Sequence, residues 1–269
     1  MRIGVLSDVH ANLPALRAAL EALSRRGVDQ LLVAGDLVGY GTQPNECVTT
    51  LAEVGARCVL GNHDLFVLDR LPPTRFPELA RRSAQLHRSW LSAEVRSFLE
   101  SLPMALSVGA VHMAHGSLDS PEEYVVSEHR AFELLARLTD VAPGADTLVL
   151  GHTHQQWLVE VSGGTVPRRS TVVAATAPRL INPGSVGQSR QRERRPRARS
   201  AVFDDATGVV EFLQVDYDVA ASRQGLRDHG LPDRCMHAPP RLRDTVVRRV
   251  RGAAHRVEQL LPSRGTGPA

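Results

Sequence analysis

Over the first 65 residues, short apolar runs alternate with stretches of helical period. RIGVL (2–6), QLLVAG (30–35) and ARCVLG (56–61) read as strands, while LPALRAALEALSRR (13–26) and PNECVTTLAEVG (44–55) carry apolar residues at helical spacing. This β-α-β-α-β order predicts parallel strands joined by right-handed crossovers. Each apolar run stops at a polar cluster: Ser7-Asp8-Val9-His10, then Gly35-Asp36, then Gly61-Asn62-His63-Asp64. Ligands of open α/β sheets bind beyond the carboxyl ends of the strands, so these clusters are expected to converge on one edge.

Residues 65–102 are polar and helical in period, which predicts two helices forming a cap beside the sheet. Strand patterns resume at 104–108, 110–116, 146–154 and 157–161, with a helix expected at 128–139. The runs TVVAAT (171–176), PRLINPGS (178–185), SAVFDD (200–205) and VVEFLQVDY (209–217) lack intervening helices and predict an antiparallel or mixed second sheet. The fold class is therefore α/β, with two stacked sheets and helices outside. The charge run QSRQRERRPRARS (188–200) reads as a solvated loop. An Arg-rich amphipathic helix is expected over 241–261, followed by a frayed tail, so the chain divides at 240/241.

Composition narrows the function classes. Hydrophobic residues make up 42% of the 269 residues and aromatics 4%, so the core is built from Leu, Val and Ala and base-stacking platforms are scarce. All 32 basic residues are Arg, yet the net charge is only +3, which disfavours a dedicated polyanion surface. Cys47, Cys58 and Cys235 are odd in number and lack C-x-x-C spacing, which suits a reducing compartment. The opening MRIGVLSDVHANL has the make-up of neither a signal peptide nor a membrane span. A cytoplasmic protein starting at Met1, with no membrane partner, is expected.

The candidate chemistry lies at the strand ends. Asp8 and His10 are separated by one residue, as are His152 and His154, and in extended backbone each pair projects to one side. Together with Asp36, Asn62 and His115 they make seven oxygen or nitrogen ligands from five strand ends. A structural tetrahedral site uses four protein ligands and a catalytic one three, so seven imply two metals sharing a carboxylate. A set without sulfur favours Mn, Fe, Zn, Co or Ni. His112, inside an apolar strand, reads as a core residue, whereas His115 before Gly116 is the better ligand. His87, His129, His229, His237 and His255 have no partner at ligand spacing and are expected at the surface.

In that order, D-x-H, G-D, G-N-H-D, H-G and G-H-x-H resemble the calcineurin-like metallophosphoesterase superfamily over residues 1–154. INPGSVGQ (181–188) and VDYDV (215–219) resemble its branch of small bacterial and archaeal phosphodiesterases. The resemblance implies a four-layer α-β-β-α sandwich. It also implies that Asp8, His10 and His154 hold one divalent ion, that Asn62, His115 and His152 hold the other, and that Asp36 bridges them, with Mn²⁺ the first choice. Hydrolysis of a phosphodiester or small phosphomonoester by in-line attack of a water shared by the ions follows. His63 would stabilise the transition state or protonate the leaving oxygen.

The resemblance has a gap. Gly35–Gly41 reads GDLVGYG, not the G-D-x-V-D-R-G of the protein phosphatases, so the carboxylate that orients the catalytic histidine and one phosphate-binding Arg are missing. Asp64 is the candidate substitute orienter of His63. Asn182, Gly184 and Ser185 of NPGS could present backbone N–H groups to a phosphate. Two other classes compete. A non-catalytic scaffold on the same fold would be free to lose ligands, yet all seven positions and His63 are present. A metal-dependent nuclease could track a backbone with the Arg-rich loop 190–199 and the C-terminal helix, against which stand the modest charge and few aromatics.

Overall fold

Alternation along each strand decides which core its side chains enter. In β1 (Arg2–Leu6), Ile3 and Val5 face one buried cluster while Leu6 joins another; in β2 (Gln30–Val33), Leu32 and Val33 divide in the same way. Strands buried on both faces need partners on both, and the chain supplies them. The computed structural model describes residues 1–167 and 170–238; the helix expected after residue 240 lies outside them.

After β2 come α2 (Pro44–Glu53), β3 (Arg57–Cys58) and α3 (Asn62–Val67), with α1 (Leu13–Ser24) between β1 and β2. Asn12 caps α1 by accepting from the Ala15 amide, and Pro14 sits in its first turn, where its missing N–H costs nothing. The segment expected as a cap forms a 3₁₀ turn (Pro73–Arg75), α4 (Glu78–Trp90) and α5 (Ala93–Ser101). Then follow β4 (Ala105–Val108), β5 (Val111–Ala114), α6 (Glu128–Val141), β6 (Thr147–Val149), β7 (Gln156–Glu160), β8 (Gly163–Thr165) and β9 (Thr171–Ala174). The described part closes with β10 (Arg179–Pro183), β11 (Ala198–Asp204), β12 (Val209–Val215) and α7 (Val219–Asp228).

Two six-stranded mixed sheets result, in the orders β3-β2-β1-β11-β12-β9 and β4-β5-β6-β10-β7-β8. The late strands do not form a sheet of their own, as their sequence spacing suggested. β11 instead pairs antiparallel with β1, opposing Val5 to Ala201, and carries β12 and β9 into the first sheet, while β10 inserts between β6 and β7. Ile3, Val5, Leu32, Val149, Ile181, Phe203 and Phe212 fill the space between the sheets. Helices α1, α2 and α7 pack on the outer face of the first sheet, and α6 covers the second through Leu134 and Leu138 against Leu148 and Leu180. This is the four-layer α-β-β-α order. The three cysteines are buried and unpaired, and among the described residues no helix is long and apolar enough to cross a membrane.

Candidate metal centre

The loops leaving β1, β2, β3, β5 and β6 meet at one edge, as the strand endings predicted, but the backbone there is not extended. Asp8, His10, Asp36, His152 and His154 have φ values of 53°, 49°, 55°, 64° and 60°. The physical reason is that β6 ends at Val149, so Gly151–His154 is a turn and not a strand continuation. Left-handed backbone costs a non-glycine residue on the order of 1–2 kcal/mol. Interlocking bonds hold it in place: Asp8 N–H to Gly35 O and His10 N–H to Asp36 O, both 3.0 Å, and His152 N–H to Asp8 Oδ2, 3.1 Å. Gly151 is required for close approach, since a Cβ there would lie 1.9 Å from Ser7 Oγ.

Two groups of ligand atoms form, each within 4.8 Å of one another: Asp8, His10, Asp36 and His154, and Asp36, His115 and His152. Asp36 belongs to both. Asn62 completes the second group, its Oδ1 lying 3.0 Å from His115 Nε2. Backbone carbonyls orient the rings, His10 Nδ1 on Val38 O (3.0 Å), His115 Nδ1 on Ala34 O (2.7 Å), His154 Nδ1 on Gln188 O (2.6 Å) and His152 Nε2 on Glu122 O (3.2 Å). A carbonyl only accepts, so each of these nitrogens carries hydrogen, and in a neutral ring the other presents its lone pair to the centre.

The residues fit divalent cations. His10 Nε2 and His154 Nε2 stand 3.2 Å apart, a pair of facing lone pairs that cannot bond each other. Among the described residues Asp8 Oδ1 is buried without a hydrogen-bond partner, which is costly unless a cation accepts it, and Asp36 Oδ2 faces only histidine nitrogens, His115 Nε2 at 3.3 Å and His10 Nε2 at 3.7 Å. Burial above all holds His10 and His154 well below the usual histidine range and His152 at about 3, all in the neutral form a metal needs. At His115 burial is outweighed by the Asp36 carboxylate, which lifts it to about 9, so a cation entering here displaces a proton.

His63 is not in either group. Its ring packs against Tyr40 (4.7 Å), His10 (4.9 Å) and Phe76 (5.4 Å), and its Nδ1 has no partner. Beside it stands Gly39, in left-handed conformation, where a Cβ would lie 2.5 Å from that nitrogen. The residue missing from G-D-x-V-D-R-G thus leaves its mark in space. Asp64 does not replace it: its Oδ1 accepts from Val38 N–H (3.0 Å) and its Oδ2 from Gly61 N–H (2.9 Å). Both oxygens are committed to tying the Asp36 loop to the start of α3, so Asp64 organises backbone and does not orient the His63 ring.

His87 also departs from expectation, being fully buried on α4. Its Nδ1 accepts from Gly39 N–H (3.0 Å) and its Nε2 donates to Gly41 O (2.8 Å), while Ser83, four residues earlier on the same face, accepts from Tyr40 N–H (3.0 Å). The segment expected as a cap therefore clamps the loop that backs His63. Burial first of all lowers the His87 pKa from 6.5 to about 4. The unfolded chain binds this proton more readily, so the contribution is fully present above pH 6.5 and is lost as pH falls towards 4, on the order of 3 kcal/mol. Urea unfolding near pH 7.5 and near pH 4.5 should show a smaller acid-side loss in His87→Gln than in the parent chain. Equal losses would remove His87 as the cause.

The substrate role expected for Asn182, Gly184 and Ser185 is not what the structure shows. Asn182 Nδ2 donates to Gly151 O (2.7 Å) and Thr153 Oγ1 (3.1 Å), the Gly184 amide donates to Asn182 Oδ1 (2.9 Å), and Ser185 Oγ donates to Asp8 O (2.9 Å). Asn182 and Ser185 are buried and their side-chain donors are spent on the loops that carry the candidate ligands, so the NPGS turn braces the site from behind. His112 bonds Ser107 Oγ at 2.8 Å away from both groups, the core role expected of it. His129 and His229 are exposed, but His237 is buried at the cleft rim.

An open cleft of about 700 Å³ leads to the centre, bordered by Asn62, His63, His152, Tyr40, Phe76 and Tyr124. Arg190 also lines it, correcting the reading of 188–200 as a solvated loop. In the same run Arg199, in β11, is buried in an ion pair with Glu193 (2.7 Å), while Arg194 and Arg195 are exposed. Tyr40, Tyr124 and Arg190 were missed because nothing in a run of arginines separates those that line the cleft from those that face solvent. The one available signal was Tyr40 standing where the phosphatase pattern has Arg.

The calcineurin-like phosphoesterase superfamily domain matches residues 1–205. A metallophosphoesterase from Sphaerobacter thermophilus is 34% identical, with a TM-score of 0.74 over 88% of this chain and 97% of that one. An uncharacterised protein of Methanocaldococcus jannaschii is 29% identical over 86% of this chain and 94% of its own length. A symmetrical bis(5'-nucleosyl)-tetraphosphatase of Psychromonas ingrahamii is 42% identical over 67 residues, 24% of each chain.

Proposed function

The chain belongs to the calcineurin-like phosphoesterase superfamily, and from that premise we propose that it is a metal-dependent hydrolase of phosphodiesters or small phosphomonoesters, with two divalent ions sharing Asp36. The observation that carries this reading is the meeting of two ligand groups at one buried carboxylate, Asp36, with an oxygen on Asp8 that has no hydrogen-bond partner among the described residues. Asp8, His10, His154 and Asp36 would hold one ion, and Asp36, Asn62, His115 and His152 the other. Bound there, such ions lower the pKa of water towards neutrality and neutralise phosphoryl oxygens. Mixed oxygen and nitrogen donors without sulfur favour Mn²⁺, with Fe, Zn, Ni and Co as alternatives.

His63 borders the cleft and is kept neutral at physiological pH, chiefly by burial. A neutral imidazole can donate an N–H to the oxygen that gains charge as the ester breaks. Tyr40 and Phe76 hold the ring by packing in place of a carboxylate. A non-catalytic metal-binding scaffold would use the same carboxylate oxygens but would have no use for His63, which borders the cleft outside both ligand groups.

Chelator-stripped protein should take up about two equivalents of Mn²⁺ and hydrolyse p-nitrophenyl phosphate, its bis ester, or both. Metal at about a thousandfold above its Kd should stabilise the fold by about 4 kcal/mol, read as a rise in Tm. Fully loaded protein inert on both esters and on a broader panel would end the enzymatic reading.

A further inference from the structure

Arg190 is an inward-facing cation with no carboxylate partner among the described residues. Its Nε donates to Gln188 Oε1 (2.9 Å) and its Nη1 to Tyr124 OH (3.2 Å), both neutral, and no described residue bonds Nη2. Arg199, buried a few residues further along the chain, is by contrast neutralised by Glu193 (2.7 Å). A guanidinium removed from bulk water and given only neutral partners is poised for an anion.

Its anchors place that anion over the metal ligands. Tyr124 lies against the His152 ring at 3.9 Å, and the backbone oxygen of Gln188 holds His154 Nδ1 at 2.6 Å. Arg190 is thereby tied to both histidines of the Gly151–His154 turn, one from each ligand group.

We propose that Arg190 binds the non-bridging oxygens of a dianionic phosphoryl group, as in a phosphomonoester or terminal phosphate, supplying from the loop after β10 the cation that Gly35–Gly41 lacks. The proposal rests on the phosphoesterase reading for the position of the phosphoryl group. Dianions gain more than diesters, which carry one negative charge, from a fixed positive charge next to the bound ions. The turn Asn182–Ser185 then acts at one remove, since Ser185 Oγ accepts the Gln188 amide at 2.9 Å and so positions the residue that orients Arg190.

The test is Arg190→Gln and Arg190→Lys in Mn²⁺-loaded protein, with inorganic phosphate binding followed by calorimetry and metal content by elemental analysis. Loss of a charge-assisted pair should weaken phosphate binding on the order of 10- to 100-fold in Arg190→Gln, with metal content and Tm preserved. Arg190→Lys should recover part of it, keeping charge but not the fork. Turnover of p-nitrophenyl phosphate should fall at least about tenfold more than turnover of the bis ester. Unchanged phosphate affinity, equal losses on the two esters, or loss of metal along with affinity would each overturn the proposal. Phosphate binding needs no turnover: a parent chain inert on all esters that still binds phosphate through Arg190 would sink the enzymatic reading and leave this one standing.

Discussion

Asp36→Asn is expected to abolish binding of the metal pair and to lower phosphate-ester turnover by at least about 10³-fold, the several kcal/mol that bound cations supply to a phosphoryl transition state. Asp36 is the one residue in both ligand groups, its Oδ2 lying 3.3 Å from His115 Nε2 and 3.7 Å from His10 Nε2. Burial would raise its pKa, but the facing His115 cation above all holds it well below the usual carboxylate range, so it stands ionised between the two sites. Asparagine tolerates the left-handed backbone at φ 55° and can still accept the His63 amide that Asp36 Oδ1 accepts at 2.8 Å. It removes the charge and leaves the fold. Asp36→Ala should lose metal equally and in addition strand that buried N–H, at about 1–3 kcal/mol. Elemental analysis after gel filtration decides it; two retained equivalents in either variant would exclude Asp36 as the shared ligand.

His63→Ala should have the opposite profile, keeping both metals while turnover drops about 10²- to 10⁴-fold, the range of a lost general acid or hydrogen-bond donor. The side chain contributes to neither ligand group, and its backbone N–H, which serves Asp36, survives the substitution. Position 63 lies in α3, where alanine is well tolerated. The loss should appear in kcat more than in KM, because the ring meets the leaving oxygen as charge develops. Equal metal loss in His63→Ala and Asp36→Asn would show that His63 acts through the metal site and not on the substrate.

The candidate ligands and their convergence were legible because each is a polar residue that interrupts an apolar run, and parallel strands deliver such interruptions to one edge. Asp8, His10, Asp36, Asn62, His115, His152 and His154 could be named from type and order alone. Their conformation could not, since a residue pair spaced for a strand face also fits a left-handed turn. Asp64 and Ser185 were misread for a related reason: polar residues near a site serve either its chemistry or its backbone, and only the hydrogen-bond partners tell these apart. His87 offered no local signal at all, because its partners Gly39 and Gly41 are far from it in the chain.

By itself the sequence determined the layered α/β fold, the convergence of seven ligands and the absence of the usual orienting carboxylate and arginine. These are consequences of periodicity and residue type, which local chemistry enforces. The tertiary structure alone decided that β11 pairs with β1, that α4 clamps the loop behind His63, and that Arg190 and Arg192 of a long basic run line the cleft. Those outcomes depend on which distant groups end up within hydrogen-bonding distance, and that is set by the packing of the two sheets.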